Sequence, residues 1–215
     1  MSMNNFNDNR GIDKLTGCLN ISAFKFDFGK MIEEAEAKYE DITLVMTDID
    51  CFMHVNTDFG HETGDKVIKE IAQILIDIDA KHQTYRYTGD SFAILFPNTE
   101  KEQVFLLMEE ARKKIAEAPE CSRTSSTISA GISTYPQDGE RDVELIRKVD
   151  GALYRAKTSG RNKVYLAKED KLVTKTAHYT VEQLKQLEKL SESTKITEAA
   201  LLREALDELL RKYNK

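Results

Sequence analysis

The chain alternates amphipathic helices with short apolar strands, and this alternation most restricts how it can fold. Residues 42–46 form a β-branched apolar run typical of a buried strand, and residues 22–39 and 64–80 place apolar side chains at helical spacing. Two more strands are expected over 84–87 and 92–96, and the remaining elements are a helix, strand, helix and strand over 101–118, 127–133, 142–158 and 162–166. The pattern predicts an α/β fold in which helices flank one mixed sheet.

Acidic residues stand where two of these strands end. Asp48 and Asp50 follow the run 42–46, and Asp90 lies in the predicted hairpin turn Thr88–Ser91, at an exposed tip. Carboxylates from two sequence-distant strands can hold Mg²⁺ against nucleotide phosphates. Asp48 and Asp90 are therefore candidate metal ligands. The alternative that Asp48 only caps a turn stays open, and Asp50 can be structural.

Five blocks of sequence carry a family resemblance. They read DKLTGCLN at 13–20, DIDCFMHVNTDFGHETGD at 48–65, RYTGDSF at 86–92, TISAGISTYP at 127–136 and ALYRAKTSGRNKVY at 152–165. In this order they resemble the GGDEF domain of diguanylate cyclases. The resemblance implies a palm-type sheet, of the ferredoxin-like kind found in nucleotidyl cyclases. It also implies a dimer that condenses two GTP molecules into cyclic di-GMP.

The resemblance assigns roles to individual residues. It implies that Asp48, the backbone oxygen of Ile49 and Asp90 coordinate Mg²⁺ or Mn²⁺, with Asp48 and Asp90 counted as catalytic. It implies that Asn56 and Asp65 recognise guanine. The phosphates would be bound by backbone amides around Cys51 and Phe52 and by the cations Lys157 and Arg161.

Plainer interpretations of the same residues remain open. Asn56 can be a helix cap and Asp65 can complement a helix dipole. Lys157 and Arg161 can form a solvated helix end. In each case the family resemblance favours the nucleotide-binding role.

The chain departs from the family at the signature loop. Thr88-Gly89-Asp90-Ser91-Phe92 replaces Gly-Gly-Asp/Glu-Glu-Phe. A β-branched Thr88 is expected to alter a turn that glycine adopts more freely, and Ser91 removes a carboxylate, which should lower metal affinity.

Other departures lie at the phosphates and at the site of product inhibition. Met53 stands where the family usually has a phosphate-contacting lysine, and Thr57 stands where an aspartate is usual. The product-inhibition motif Arg-x-x-Asp is replaced by Asp79 and His82, so the usual feedback is not expected. Nucleotide binding is expected, and cyclase turnover stays open.

Residues 174–213 resemble a ribbon-helix-helix module, with a strand over 174–179, helices over 181–190 and 198–213, and N-caps at Thr180 and Thr197. In such modules two chains pair their strands and interlock their helices. Strand alternation would turn Thr176 and His178 toward DNA, and Ala177 and Tyr179 toward the core. The alternative is dimerisation without DNA, since these side chains are modest donors and residues 171–215 carry nine basic and seven acidic residues, a charge of +2.

The predicted organisation is an N-terminal extension over 1–12, a GGDEF-like domain over 13–167, a linker over 168–173 and the ribbon-helix-helix module over 174–215. No apolar run reaches the ~20 residues that span a bilayer, and the start lacks a secretory pattern, so a cytoplasmic protein without membrane contact is expected. The three cysteines lack CxxC spacing and are expected to be reduced thiols.

Three functions compete on this sequence. The first is a diguanylate cyclase that binds GTP or a related guanine nucleotide and dimerises through residues 174–215. The second is an inactive, nucleotide-sensing transcriptional regulator that binds DNA through the same tail. The third is a cyclase with altered substrate or product, because the departures surround the phosphates more than the base.

Overall fold

A computed structural model describes residues 11–168, 176–194 and 197–213 of the 215-residue chain. The chain divides into two compact units, Met1–Glu169 and Asp170–Lys215. The strands are β1 Leu19–Asn20, β2 Ile42–Ile49, β3 Gln83–Thr88, β4 Ser91–Pro97, β5 Ile128–Tyr135 and β6 Val164–Leu166. The helices are α1 Ile21–Lys38, α2 Phe52–Phe59, α3 His61–Ile76, α4 Lys101–Glu117, α5 Pro119–Thr124, α6 Asp142–Thr158, α7 Val181–Thr194 and α8 Glu198–Tyr213.

The first unit is built on one mixed sheet with the strand order β1-β3-β4-β2-β5-β6. Strand β2 lies inside the sheet and pairs antiparallel with both β4 and β5. Strand β6 runs parallel to β5, and β1 runs parallel to β3. The arrangement confirms the mixed α/β sheet expected from the sequence.

Helices cover both faces of this sheet, so β2 is buried on both sides. Side chains alternate across a strand, and Val45 and Ile49 pack in one core cluster while Leu44 and Met46 pack in the other. Helices α3 and α4 supply the first cluster, and α1 and α6 supply the second. Double-sided burial explains why this strand reads as a continuous apolar run.

Short elements escaped the sequence prediction. Helix α2 has eight residues, α5 has six and β1 has two, and none is long enough to display a clear apolar period. Strand β2 runs on to Ile49, so Asp48 lies within the strand rather than after it. Among the longer helices, α6 has the predicted bounds, whereas α3 begins at His61 and ends at Ile76.

The second unit contains the two predicted helices, α7 and α8. Thr180 starts α7 as expected: its Oγ1 accepts from the Gln183 N–H at 3.2 Å, while its own N–H donates to Gln183 Oε1 at 2.9 Å. This reciprocal pair is a capping box. The predicted strand over 174–179 is absent from its described part, residues 176–179, and the rest lies outside the described residues. A ribbon strand pairs with a second chain, so a single chain offers it no partner.

The leucines of the second unit form a half-exposed stripe. Leu184, Leu190, Leu206, Leu209 and Leu210 are each 45–53% exposed, and no residue of α7 is buried. A stripe of this kind on two short helices is typical of a surface that packs against a partner. Within the described part of the chain, no helix is long and apolar enough to cross a membrane.

Gly131 on β5 allows α6 to approach the sheet very closely. A Cβ at this position would lie 2.2 Å from the Val149 carbonyl oxygen and 2.5 Å from the Leu153 nitrogen, and both are backbone atoms of α6. Backbone cannot move aside as a flexible side chain can. The contact therefore fixes how close α6 lies to β5.

We expect Gly131→Ala to lower the free energy of unfolding by roughly 3 kcal/mol, because the added methyl group forces α6 away from β5. Gly29→Ala is the matched control: its Cβ would meet nothing within 4 Å, and it lies inside α1. Replacing a helical glycine should stabilise the chain by about 0.5–1 kcal/mol. Urea unfolding followed by circular dichroism measures both variants, and equal effects would contradict the proposed contact.

Candidate active site

Asp48 lies near the end of the central strand β2, opposite Ser91 of β4 and Ser129 of β5. Its Oδ2 accepts a hydrogen bond from Ser91 Oγ at 2.8 Å, and its Oδ1 pairs with Lys157 Nζ of α6 at 2.7 Å. The Asp48 side chain is 18% exposed and that of Lys157 is 34% exposed. The central strand thus presents a partly exposed carboxylate that is held on both sides.

Asp90 lies in the β3–β4 turn beside Asp48, because the Ile49 N–H of β2 donates to the Asp90 carbonyl oxygen at 3.2 Å. The sequence analysis predicted that Asp90 lies at an exposed tip. The structure shows instead that Asp90 is half-buried. Burial, and then the negative charge of Asp48, raise the pKa of Asp90 above its ordinary value. The two carboxylates therefore repel each other across one site, and a shared cation would relieve that repulsion.

A cleft of about 340 Å³ adjoins Asp90. This volume is within the range of small-molecule sites. Its walls come from α2, α3 and the β3–β4 hairpin, and the lining residues are Phe52, Met53, Asn56, His61, Asp65, Ile68, Arg86, Gly89 and Asp90. The structure brings together the two residues predicted to bind guanine, Asn56 and Asp65, with the predicted metal ligand Asp90.

The place of Asn56 in this cleft depends on Gly64. A Cβ on Gly64 would lie 2.1 Å from Asn56 Oδ1 and 3.1 Å from Phe52 Cζ. The absent side chain leaves room for the Asn56 amide between α2 and α3. The lack of a Cβ atom at Gly64 therefore helps to shape the cleft.

The chain turns sharply between β2 and α2 at Cys51, which is exposed and has a left-handed φ of 54°. Helix α2 starts directly afterwards at Phe52 and has no side-chain N-cap hydrogen bond. First-turn amides at a helix start attract anions. The predicted phosphate-binding amides therefore lie at a helix start that follows the strand carrying Asp48.

The two predicted phosphate cations lie at the end of α6 and just after it. Lys157 belongs to the last turn of α6 and pairs with Asp48. Arg161 follows in the next loop, where it is exposed and has a φ of 60°. Neither residue lines the cleft next to Asn56.

Asp50 has a structural place. It is 7% exposed and accepts hydrogen bonds from Ser129 Oγ, Thr127 Oγ1 and the Asn162 N–H at 2.7, 2.7 and 3.0 Å. Three donors compensate for burial of the charge. Asp50 thus joins the end of β2 to the start of β5 and to the loop after α6.

Arg86 is a site residue that the sequence analysis did not assign. Its Nε and Nη2 donate to the Gly89 carbonyl oxygen at 3.0 and 2.7 Å, and its Nη1 pairs with Asp13 Oδ1 at 2.9 Å. Partial burial opposes ionisation of Asp13, but hydrogen bonds from Thr16 and Arg86 outweigh it and lower the Asp13 pKa. The available signals were a cation two residues before the signature loop and an aspartate at the start of the turn 13–17.

The signature-loop departures have clear structural places. Thr88 pairs with Ser91 and has no left-handed φ, so the steric conflict expected for a β-branched residue does not arise. Ser91, in place of an acidic residue, donates to Asp48 instead of repelling it. Met53 is 75% exposed at the wall of the cleft.

Comparison with known proteins follows the same division of the chain. Residues 10–163 match the family model of the diguanylate cyclase GGDEF domain. The chain belongs to the GGDEF domain family. Residues 176–214 match the model of a ribbon-helix-helix domain, as the sequence had suggested.

Relatives and solved structures agree with the GGDEF assignment. The chain is 33% identical over 143 residues to diguanylate cyclase A of Treponema denticola, covering 65% of this chain and 38% of that one. It is 34% identical over 158 residues to diguanylate cyclase DgcM of Escherichia coli, covering 72% and 38%. The chain thus spans less than two fifths of either relative. The structure of the coiled coil and GGDEF domain of DgcB from Caulobacter crescentus, in complex with c-di-GMP, matches with a TM-score of 0.67 and 30% identity over 73% of this chain and 85% of that chain.

At the position of the family's product-inhibition motif, His82 packs against the GGDEF scaffold while Asp79 is exposed. His82 Nε2 hydrogen-bonds with the Leu75 carbonyl oxygen at 2.8 Å, and its ring stacks on Phe96 at a centroid distance of 5.2 Å. Asp79 Oδ1 accepts from the Ala80 N–H at 2.8 Å. Neither residue offers the guanidinium group that the motif begins with.

The tail residues predicted to face DNA, Thr176 and His178, are both exposed, as are Ala177 and Tyr179. The single chain therefore does not distinguish a DNA-facing side from a core-facing side. That distinction requires the strand pairing that a second chain would supply.

We expect Asp90→Asn to raise the melting temperature at pH 7 by a few degrees. The pKa of the Asp90 carboxyl group is raised in the native state, so the native state holds this proton more tightly than the unfolded chain does. In the unfolded chain the pKa of an aspartate is about 3.9. Asp90 thus stabilises the fold fully only below that value, and this contribution is lost as pH rises through the native pKa. The gain from the substitution should therefore shrink toward pH 4.

Differential scanning calorimetry across pH measures this effect, with Asp58→Asn as control. Asp58 is an exposed carboxylate of α2, so its variant should melt like the wild type at every pH. Added Mg²⁺ should reduce the difference in melting temperature between the wild type and Asp90→Asn, because a bound cation would offset the repulsion between Asp48 and Asp90. A constant difference at all pH values and metal concentrations would contradict charge repulsion at this site.

Proposed function

We propose that the chain is a diguanylate cyclase in which residues 13–167 bind GTP and residues 174–215 hold two copies together. The observation that carries the proposal is the convergence of Asn56, Asp65 and Asp90 on one cleft, with Asp48 on the neighbouring strand. In this reading Asn56 and Asp65 hydrogen-bond the guanine base. Lys157, Arg161 and the amides around Cys51 and Phe52 bind the phosphates.

The donor set fits a Mg²⁺ or Mn²⁺ ion that arrives with its nucleotide. Among the residues that the structure describes, no three His, Cys, Asp or Glu side chains are grouped as metal ligands. Mg²⁺ usually takes one or two protein carboxylates and completes its shell with phosphates and water. Asp48, Asp90 and the Ile49 carbonyl oxygen would hold it. When bound, the ion would lower the pKa of the attacking hydroxyl and neutralise phosphate charge.

The reaction requires two copies of the chain. Each presents one GTP, the 3′-oxygen of each loses its proton and attacks the α-phosphorus of the other, and two pyrophosphates leave. The protein's part is to fix both bases, orient both triphosphates and exclude water. The Asp48–Lys157 ion pair holds these two groups in place before the nucleotide binds.

Incubation of the chain with GTP and Mg²⁺ or Mn²⁺ tests this proposal, with products identified by mass spectrometry. Cyclic di-GMP and pyrophosphate are expected, and Asp48→Ala and Asp90→Ala should abolish both. Ser91→Glu restores the family's second carboxylate and should tighten metal binding on the order of tenfold. Asp58→Asn serves as the inert control. Failure of the wild-type chain to bind GTP with either metal would reject the proposal.

A second function is favoured by two observations. Ser91 and the exposed Met53 stand where the family has charged side chains, which leaves fewer charged groups for metal and phosphates, and the tail matches a ribbon-helix-helix domain. The chain would then sense a guanine nucleotide and bind DNA through Thr176 and His178. GTP binding without turnover, together with salt-sensitive DNA binding that changes with GTP or cyclic di-GMP, would select this function over the first.

Deleting residues 172–215 should lower specific activity at low protein concentration. A dimeric tail would raise the effective concentration of one active site near the other to the ~mM range, and the truncated chain must meet its partner by diffusion. Cyclase assays over a range of protein concentrations measure this effect. The truncated chain should recover as concentration rises, whereas identical concentration dependence of both proteins would exclude a dimerising role.

A further inference from the structure

The loop after α6, residues 159–163, has an unusual backbone. Gly160, Arg161 and Asn162 are consecutive residues with positive φ, at 113°, 60° and 48°. Residues with a Cβ rarely adopt the left-handed region, and two such residues in succession are rarer still. Here the last turn of α6 supplies one support, because the Arg161 N–H donates to the Ala156 carbonyl oxygen at 3.0 Å. A left-handed Asn162 beyond that bond needs further contacts to hold it.

Asn162 receives those contacts from two separate elements. Its backbone N–H donates to Asp50 Oδ2 at 3.0 Å, at the end of β2. Its side-chain Oδ1 accepts from Arg112 Nη1 of α4 at 2.8 Å. The loop is thus fixed through its backbone on one side and through its side chain on the other.

Arg112 is itself rigidly held. Its Nε and Nη2 donate to Glu109 Oε1 and Oε2 at 3.0 and 2.8 Å, and its side chain is only 16% exposed. The hydrogen bonds from Arg112 hold the pKa of Glu109 below its ordinary value. A bidentate guanidinium–carboxylate pair fixes the plane of the guanidinium, so the remaining nitrogen points in one direction.

The loop and the last turn of α6 are anchored at the same place. Lys157 pairs with Asp48, and Asn162 bonds to Asp50, which lies two residues further along the same segment. Arg161 lies directly before Asn162. Its N–H is bonded to α6, and the residue on its other side is held by Arg112 and Asp50, so both supports set its backbone direction.

We propose that Arg112 and Asn162 are positioning residues for the triphosphate: they hold the loop so that Arg161 is presented beside Lys157 at the end of β2. This inference rests on the proposed function, because the phosphates of GTP are the groups that Arg161 would bind. Neither Arg112 nor Asn162 touches the nucleotide in this scheme. Both act through Arg161.

A double-mutant cycle tests the inference. Isothermal titration calorimetry in Mg²⁺ compares GTP with GMP for Arg112→Ala, Asn162→Gly, Arg161→Ala and the double variant of Arg112 and Arg161. Glycine at 162 keeps the left-handed backbone accessible while it removes the amide acceptor. Arg112→Ala should weaken GTP roughly tenfold and GMP less than twofold, and the double variant should lose no more than Arg161→Ala alone.

Lys114→Ala is the matched control, because Lys114 lies on the same helix, carries the same charge and pairs with Glu110 at 2.7 Å. It should leave both affinities unchanged. Amide hydrogen exchange at Asn162, which needs no nucleotide, should be faster in Arg112→Ala and unchanged in Lys114→Ala.

The outcomes separate the two proposals. Two results with a wild type that binds GTP would overturn the positioning role and leave the proposed function standing. One is that Arg112→Ala lowers the affinities for GTP and GMP equally. The other is that the double variant loses the sum of the two single losses in GTP affinity. Unchanged exchange at Asn162 also overturns the positioning role. If the wild type binds no GTP, the proposed function fails, and the phosphate role of Arg112 fails with it.

Discussion

The register between β2 and β4 is the constraint on which the candidate site depends. Asp48 lies opposite Ser91, and this pairing places the preceding residue, Asp90, next to Asp48 through the Ile49–Asp90 backbone hydrogen bond. A slip of one residue would turn Asp48 to the other face of the sheet and away from Lys157. Apolar residues on both faces of β2 oppose such a slip, because the side chains of β2 that now pack in one core cluster would have to pack in the other. Core packing therefore determines the geometry of the charged groups.

Much of this arrangement could be predicted from the sequence. The apolar run at 42–46, the hairpin punctuation at Thr88–Ser91 and the helical period of α6 were local signals, and the sheet follows from them. The positions of Asp48 and Asp90 where two strands end indicate candidate metal ligands, and the resemblance of five sequence blocks to one family indicates Asn56 and Asp65. The cleft that Asp90 shares with Asn56 and Asp65 depends in addition on α2, a helix that the sequence pattern does not predict, and on Gly64.

The remaining features depend on contacts between distant residues. The ion pair between Arg86 and Asp13 joins positions that are 73 residues apart, and the hydrogen bond from Arg112 to Asn162 joins positions that are 50 residues apart. No periodicity within a short window reports such a pair. Helix α2 was missed because eight residues give little more than two turns. The tail strand, by contrast, is predicted from the sequence but is not formed over residues 176–179. Partial burial of Asp90 reflects how the hairpin packs, which turn composition does not encode.

Close backbone contact at Gly131 has a consequence for the charged end of α6. Where side chains separate a helix from a sheet, rotamer changes at higher temperature let the gap widen. Here the Val149 carbonyl and the Leu153 nitrogen approach the β5 backbone without an intervening side chain. The distance between Lys157 Nζ and Asp48 Oδ1 should therefore change little as the core loosens on warming, until the sheet itself unfolds.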